Sequence, residues 1–132
     1  DAKNVDMSTY DTIIIGGLVV ASKVTICGWL VKQWESIKDK KVILFSTSGA
    51  KPTDKIKQEF LSNSLPESIA KNITYFPMHG RRRQKDLNLI ARLMMWIAVT
   101  FIAKTPQEKE EMSKDFDGVD RKYFEPLVSA AR

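Results

Sequence analysis

Three short runs of apolar residues stand out along the chain, and two of them contain no polar residue. The runs are residues 13–15, 42–45 and 73–76, and only the third is interrupted, by Thr74. Because they lack the polar alternation of a half-exposed strand, these runs predict strands that are buried on both faces in a parallel sheet. We expect parallel, neighbouring strands near residues 12–17, 42–46 and 73–77.

The segments between these runs repeat apolar residues at helical spacing. Ile26, Leu30 and Trp34 form a stripe that predicts a helix over Lys23 to Ile37. A second helix is predicted from about Thr53 to Ser62. Because helices that connect parallel strands cover both faces of the sheet, the predicted fold class is α/β with three layers, α/β/α.

The most apolar stretch, Leu87 to Ala103, has Arg92 as its only charged residue. A helix that spans a bilayer needs about 20 apolar residues, so this stretch predicts no transmembrane span. We expect a buried helix, or a helix that is buried on one side and docks on a partner or a membrane surface with the other. Thr105 and Asp120 are predicted N-caps of two further helices.

Glycines and small hydroxyl residues follow the first two predicted strands. Gly16 and Gly17 follow the first strand, and the run Ser46 to Ala50 follows the second. Glycine lets the backbone turn with a positive φ and approach a ligand closely. Open α/β sheets bind ligands at the carboxyl ends of their strands, so we predict two ligand-facing turns side by side at this edge.

Charge and composition narrow the range of functions. The 132 residues fit a single domain, with residues 1–9 as a polar linker, and the net charge of +5 favours anionic ligands. Arg81, Arg82 and Arg83 follow the third strand and predict either a solvated loop or an anion-binding site. No nucleic-acid-binding motif accompanies this charge, so nucleic acid is an unfavoured partner.

The sequence has one cysteine, Cys27, and one histidine, His79. An intrachain disulfide, a cysteine-based metal site and a histidine-only metal site are therefore excluded, and we predict no metal. A single cysteine and no secretory signal favour a reducing, cytoplasmic location. Neither residue is assigned a catalytic role, and the catalytic residues stay unassigned.

The chain contains five segments in a fixed order. They are the strand segment Tyr10 to Gly17, a helix, the strand segment Val42 to Ser46, a third strand and a Met-rich helix. This order resembles the flavodoxin-like family, specifically the branch of the menaquinone-dependent protoporphyrinogen oxidases, from Tyr10 to the end of the chain. The resemblance implies FMN as cofactor and an electron-transfer protein or oxidoreductase with a redox protein or a quinone as partner. The implied FMN contacts are Gly17, Leu18, Val19, Ser46, Thr47, Ser48 and Gly49.

No residues before Tyr10 match the first strand and the phosphate loop of that family. We expect either an N-terminally truncated piece of a longer protein or a shortened fold that has lost the phosphate site. In either case the edge from Thr12 to Gly17 would lack a partner strand, which predicts a homodimer or association with an N-terminal segment. Two alternative functions remain, a cofactor-free interaction or structural module of the same fold and a peripheral membrane protein.

Overall fold

The structure is a computed structural model that describes residues 5–132. The first four residues of the predicted linker lie outside the described residues. The chain divides into two compact units, residues 5–80 with 119–132, and residues 81–118. That the chain forms a single domain stays a prediction.

The secondary structure alternates between strands and helices through most of the chain. The strands are β1 (Thr12–Val20), β2 (Lys23–Val24), β3 (Lys41–Ser48), β4 (Thr74–His79), β5 (Arg81–Arg82) and β6 (Phe116–Asp117). The helices are α1 (Cys27–Ile37), α2 (Asp54–Ser64), α3 (Glu67–Ala70), α4 (Leu89–Phe101), α5 (Pro106–Ser113) and α6 (Glu125–Ala131). Short 3-10 helices span Gln84–Asp86 and Arg121–Tyr123.

A four-stranded sheet forms the centre of the first unit, with the strand order β2-β1-β3-β4. β1 is parallel to β3, and β3 is parallel to β4. Ile14 pairs with Ile43, and Leu44 pairs with Tyr75, so the three predicted apolar runs lie side by side. The predicted parallel pairing is confirmed.

Helices cover both faces of this sheet. On one face α1, α2 and α3 enclose a core that includes Ile13, Ile15, Leu30, Ile37, Leu44, Phe60, Ile69 and Tyr75. Side chains alternate between faces along a strand, so the buried Ile43 and Met78 point to the opposite face, where α6 lies against β3 and the 3-10 helix Arg121–Tyr123 lies against β4. The three-layer α/β/α fold is therefore confirmed.

The predicted turn at Gly16 and Gly17 is wrong. No described glycine has a positive φ, and β1 continues through both glycines to Val20. The chain turns instead at Ala21 and Ser22, whose φ angles are 49° and 59°. Two consecutive positive φ angles form the hairpin turn that matches the twist of the flanking strands, and β2 then pairs with β1. The predicted helix consequently begins at Cys27 rather than at Lys23.

The second unit holds α4, α5 and the two-stranded β5–β6 ribbon. The prediction that the apolar stretch forms a buried helix is wrong, since no residue of α4 is buried and Leu89 and Phe101 are largely exposed. The apolar side chains of α4 project on nearly all sides of the helix, and α5 can cover only one of these sides. One-sided docking stays a prediction. Among residues 5–132, every helix is too short or too polar to cross a lipid bilayer.

Candidate cofactor edge of the sheet

The seven residues predicted to contact FMN lie at the carboxyl edge of the sheet, where β1 and β3 run side by side. Gly17 pairs with Ser46, and Leu18 pairs with Thr47. All but Gly49 belong to strands, although the sequence predicted turns there. Because side chains alternate along a strand, these residues divide into two sets on opposite faces of the sheet.

The first set faces the helices α1 and α2 and is largely enclosed by them. A Cβ added to Gly17 would lie 2.9 Å from Cγ2 of Ile26, the residue that precedes α1, so the start of the helix packs directly on this glycine. Val19 is half-buried and pairs with the buried Val24 of β2. Ser46 belongs to this set and is 0% exposed. This face offers little surface to a cofactor.

The hydroxyl groups of this set are bonded within the protein. The Ser46 Oγ and the Tyr75 hydroxyl are 2.6 Å apart in a buried hydrogen bond. The Ser48 Oγ accepts a hydrogen bond from the backbone N–H of Ala50 at 3.2 Å. Burial raises the pKa of Tyr75 above its ordinary value, so Tyr75 is a neutral phenol at physiological pH. These hydroxyl groups therefore stabilise the fold and are not free to bind a ligand.

Replacing Tyr75 with phenylalanine should lower the free energy of unfolding by about 1 to 3 kcal/mol, because the buried Ser46 hydroxyl would lose its partner. Urea denaturation measures the change. The double variant Ser46→Ala with Tyr75→Phe is the control, and it should recover part of the loss because neither partner remains unsatisfied. If Tyr75→Phe and the double variant lose the same stability, the bond does not contribute in this way.

The second set faces away from α1 and is accessible to a ligand. Leu18 is 63% exposed, Thr47 is half-buried and Gly49 is exposed. Val20 lies two residues after Leu18 on the same face and is 51% exposed. The resemblance places Val20 within a ring loop from Gly17 to Lys23, although Val20 is not among the implied FMN contacts. The alternation of Leu18 and Val20 along a longer strand would have identified it.

The hairpin that follows β1 is fastened to α2. The Ser22 hydroxyl donates a hydrogen bond to the Glu59 carboxylate at 2.9 Å, and the backbone N–H of Val24 donates to the Ser64 Oγ at 2.8 Å. The backbone N–H of Thr25 donates to the Leu18 carbonyl at 2.9 Å. These bonds fix the exposed side chains of Leu18 and Val20 at the sheet edge.

Only one of the two sets fits FMN. The flat isoalloxazine ring of FMN suits the exposed apolar carbons of Leu18 and Val20, with the Thr47 hydroxyl and the backbone at Gly49 beside them. Ser46 does not fit a ligand role, because it is fully buried and bonded to Tyr75. Gly17 and Val19 face the helices. The residues present thus fit the ring only on the face of the sheet that points away from α1.

The three arginines predicted to bind anions belong to the second unit and differ in their surroundings. Arg82 donates to the carbonyls of Lys114 at 2.6 Å and Glu111 at 3.4 Å, at the end of α5, and its guanidinium lies 5.0 Å from the Phe116 ring centre. A cation at a helix carboxyl end is favourable, so Arg82 has a structural role. Arg81 lies 3.8 Å from the Asp117 carboxylate.

Arg83 is exposed, and the anion-binding role of the three arginines stays a prediction. Within residues 5–132 we find no group of three or more histidine, cysteine, aspartate or glutamate side chains that is placed to hold a metal ion.

Comparison with known proteins identifies the family. The model of the flavodoxin domain family matches residues 1–112 of the chain. No curated protein and no solved structure matches it significantly. The family match agrees with the mostly parallel α/β sheet of the first unit. The chain therefore belongs to the flavodoxin domain family.

Proposed function

We propose that this domain binds FMN at the carboxyl ends of β1 and β3, on the face of the sheet that points away from α1. It would act as an FMN-dependent electron-transfer protein or oxidoreductase. The observation that carries the proposal is the exposed apolar pair Leu18 and Val20 at the carboxyl edge of a sheet in a flavodoxin domain. Bound FMN would supply the redox chemistry by taking up and releasing electrons.

The residues of the chain have distinct roles in this proposal. Leu18 and Val20 would pack on one face of the ring and keep water from it, a contribution of about 25 cal/mol for each Å² of apolar surface that is buried. The Thr47 hydroxyl would donate a hydrogen bond to the polar edge of the ring. The Ser22–Glu59 and Val24–Ser64 hydrogen bonds would affect FMN only indirectly, because they position the hairpin that carries Leu18 and Val20.

The finer assignment to the branch of the menaquinone-dependent protoporphyrinogen oxidases rests on the resemblance from Tyr10 onward. It makes a quinone or a redox protein the proposed electron acceptor. Reduction of the FMN-loaded protein followed by addition of a menaquinone analogue tests this assignment. Rapid reoxidation by the quinone under anaerobic conditions supports it, and no reoxidation contradicts it.

The variant Leu18→Glu should weaken FMN binding at least tenfold, because it places a carboxylate against the apolar face of the ring. Titration of the full chain with FMN, followed by flavin fluorescence, measures the dissociation constant. The matched control is Val31→Glu, which makes the same change at a residue of α1 that is 40% exposed. The control should bind FMN as the unaltered chain does.

Two results would contradict the proposal in different ways. If both variants bind FMN with the same affinity as the unaltered chain, the ring lies elsewhere. If the chain neither quenches flavin fluorescence nor gains thermal stability with FMN, the domain does not bind the cofactor.

The second candidate function is a cofactor-free interaction module. The hydroxyls of Ser46 and Ser48 form hydrogen bonds within the chain, so two of the three hydroxyl residues predicted to contact FMN are satisfied without a ligand. The melting temperature of a cofactor-free module would not change with millimolar FMN. That measurement separates the two candidates.

A further inference from the structure

One side of the helix α4 in the second unit is a continuous apolar surface, which we call the apolar arc. Its members are Leu89, Ile90, Leu93, Met94, Ile97 and Phe101, which are 43% to 85% exposed. With 3.6 residues per turn, these positions cover an arc of about 140° around the helix. The half-buried Met95 and Val99 lie on the other side. α4 therefore has one packed side and one apolar side that faces water.

The single polar residue within the apolar arc is already bonded inside the helix. The Thr100 hydroxyl donates a hydrogen bond to the Trp96 carbonyl at 2.8 Å. Interfaces between proteins carry about one hydrogen bond for every 100–200 Å² of buried surface. The acyl chains of a lipid bilayer form no hydrogen bonds, so they suit a surface that has no free polar side chain to supply them.

Basic residues border the apolar arc at both ends and along one side. Residues 81–107 contain six basic residues and one acidic residue. The exposed Arg92 lies one turn before Trp96, so their side chains are neighbours beside the arc. Lys85 precedes the helix and Lys104 follows it, and both are exposed. The complementary charge is that of an anionic lipid headgroup.

The length of α4 determines how it can meet a bilayer. Its 13 residues span about 20 Å, whereas the hydrocarbon core of a bilayer is about 30 Å thick. A helix of this kind lies in the plane of the membrane surface, with its apolar side between headgroups and acyl chains. Trp96 is 61% exposed at the border of the arc, the position that tryptophan favours at the level of the headgroups.

We propose that the apolar arc of α4 docks this protein on the surface of a membrane that contains anionic lipid. The arc enters the boundary between headgroups and acyl chains, and Arg92 and Trp96 stay at the level of the headgroups. Because the arc is exposed, α5 contacts α4 from its other side, which keeps the glutamates of α5 away from the anionic headgroups. The docking does not depend on FMN.

Co-sedimentation of the full chain with vesicles of phosphatidylcholine and phosphatidylglycerol tests the proposal. The chain should bind these vesicles at low salt and release them as salt screens the basic residues. Ile97→Glu should weaken binding roughly tenfold or more, because it places a carboxylate within the apolar arc. The matched control is Val31→Glu, which makes a similar change in α1 at a residue that is 40% exposed, against 43% for Ile97. The control should bind as the unaltered chain does.

The contribution of charge has its own variant. Arg92→Gln should weaken binding about fivefold and make it less sensitive to salt, because one contact with an anionic headgroup is lost. Circular dichroism establishes that each variant is folded.

Tryptophan fluorescence locates the contact independently of affinity. Phosphatidylcholine that carries bromine near the top of its acyl chains quenches a tryptophan that enters the membrane surface. Trp29 and Trp34 pack against the core of the first unit, so the quenching should come from Trp96. Trp96→Phe should therefore remove most of the quenching while the protein still sediments with the vesicles.

Three results would overturn the proposal. They are no binding to the anionic vesicles at low salt, equal binding by Ile97→Glu and Val31→Glu, and unchanged quenching in Trp96→Phe. Self-association that Ile97→Glu abolishes, without vesicle binding, would assign the apolar arc to a second copy of the chain instead.

Discussion

Replacing Gly16 with alanine is expected to lower the free energy of unfolding by about 1 kcal/mol, because the new methyl group would overlap the Phe45 ring. A Cβ added at this position would lie 2.2 Å from Cζ of Phe45 and less than 3 Å from both of its neighbouring ring carbons. Gly16 and Phe45 are paired across β1 and β3, and the end of the ring lies close to the exposed glycine. The ring must move to accept even one methyl group.

Gly28 provides the matched control for this substitution. It lies in α1, and a Cβ added there would meet no atom within 4 Å. Gly28→Ala should therefore raise the free energy of unfolding by about 0.5 to 1 kcal/mol, because alanine favours the helix. Urea denaturation of both variants gives the comparison. Adding Phe45→Ala to Gly16→Ala should relieve the overlap, so the two substitutions should be less costly together than their sum.

If Gly16→Ala and Gly28→Ala change stability by the same amount, the Phe45 ring does not hold the position that the strand pairing gives it. The glycine would then have another reason to be in β1. A turn is excluded as that reason, because β1 continues through Gly16 and no described glycine has a positive φ.

Gly16 illustrates a limit of prediction from sequence. The apolar runs predicted the parallel strands because burial on both faces leaves a signal in consecutive residues. The role of Gly16 depends on Phe45, which is far away in sequence and adjacent only through strand register. A glycine in a turn and a glycine that makes room for a ring look alike in one sequence. The sequence therefore predicted a turn where the structure has a strand.

The same limit explains why only some of the residues predicted to contact FMN are accessible to a ligand. The sequence placed Leu18, Thr47 and Ser46 at one sheet edge, and the structure also places them there. It treated them as one group, since residues in a turn have no fixed alternation. Once β3 extends to Ser48, alternation assigns Ser46 to the face of the helices and Thr47 to the accessible face. The buried Ser46–Tyr75 bond follows from that assignment.

The buried thiol of Cys27 should make the stability of the fold depend on pH above about pH 9. Burial raises the pKa of the Cys27 thiol from its ordinary 9.0 to about 11. Cys27 is the first residue of α1, where a helix amino terminus would lower the pKa of a thiol, so burial outweighs that effect. The side chain is 2% exposed, and water does not reach it in the folded state.

The direction of the pH dependence follows from where the proton is held. Below pH 9 the thiol is protonated in both the folded and the unfolded chain, so it contributes no pH dependence. Between about pH 9 and 11 the unfolded chain releases this proton and the folded chain retains it, which favours unfolding. At 1.36 kcal/mol for each pKa unit, the loss of stability approaches about 2 to 3 kcal/mol at pH 11.

Urea denaturation at intervals from pH 8 to pH 11 measures this loss, with Cys27→Ala as the control. Tyr75 is present in both proteins, and its pKa is raised by burial and to a smaller extent by the charge of Cys27. The difference between the two pH profiles therefore reports the thiol together with its effect on Tyr75. The unaltered chain should lose about 2 to 3 kcal/mol more than Cys27→Ala over this range. Parallel profiles would mean that water reaches the thiol in the folded state. The packing of α1 on the sheet would then be looser than the complete burial of Leu30 and Ile37 indicates.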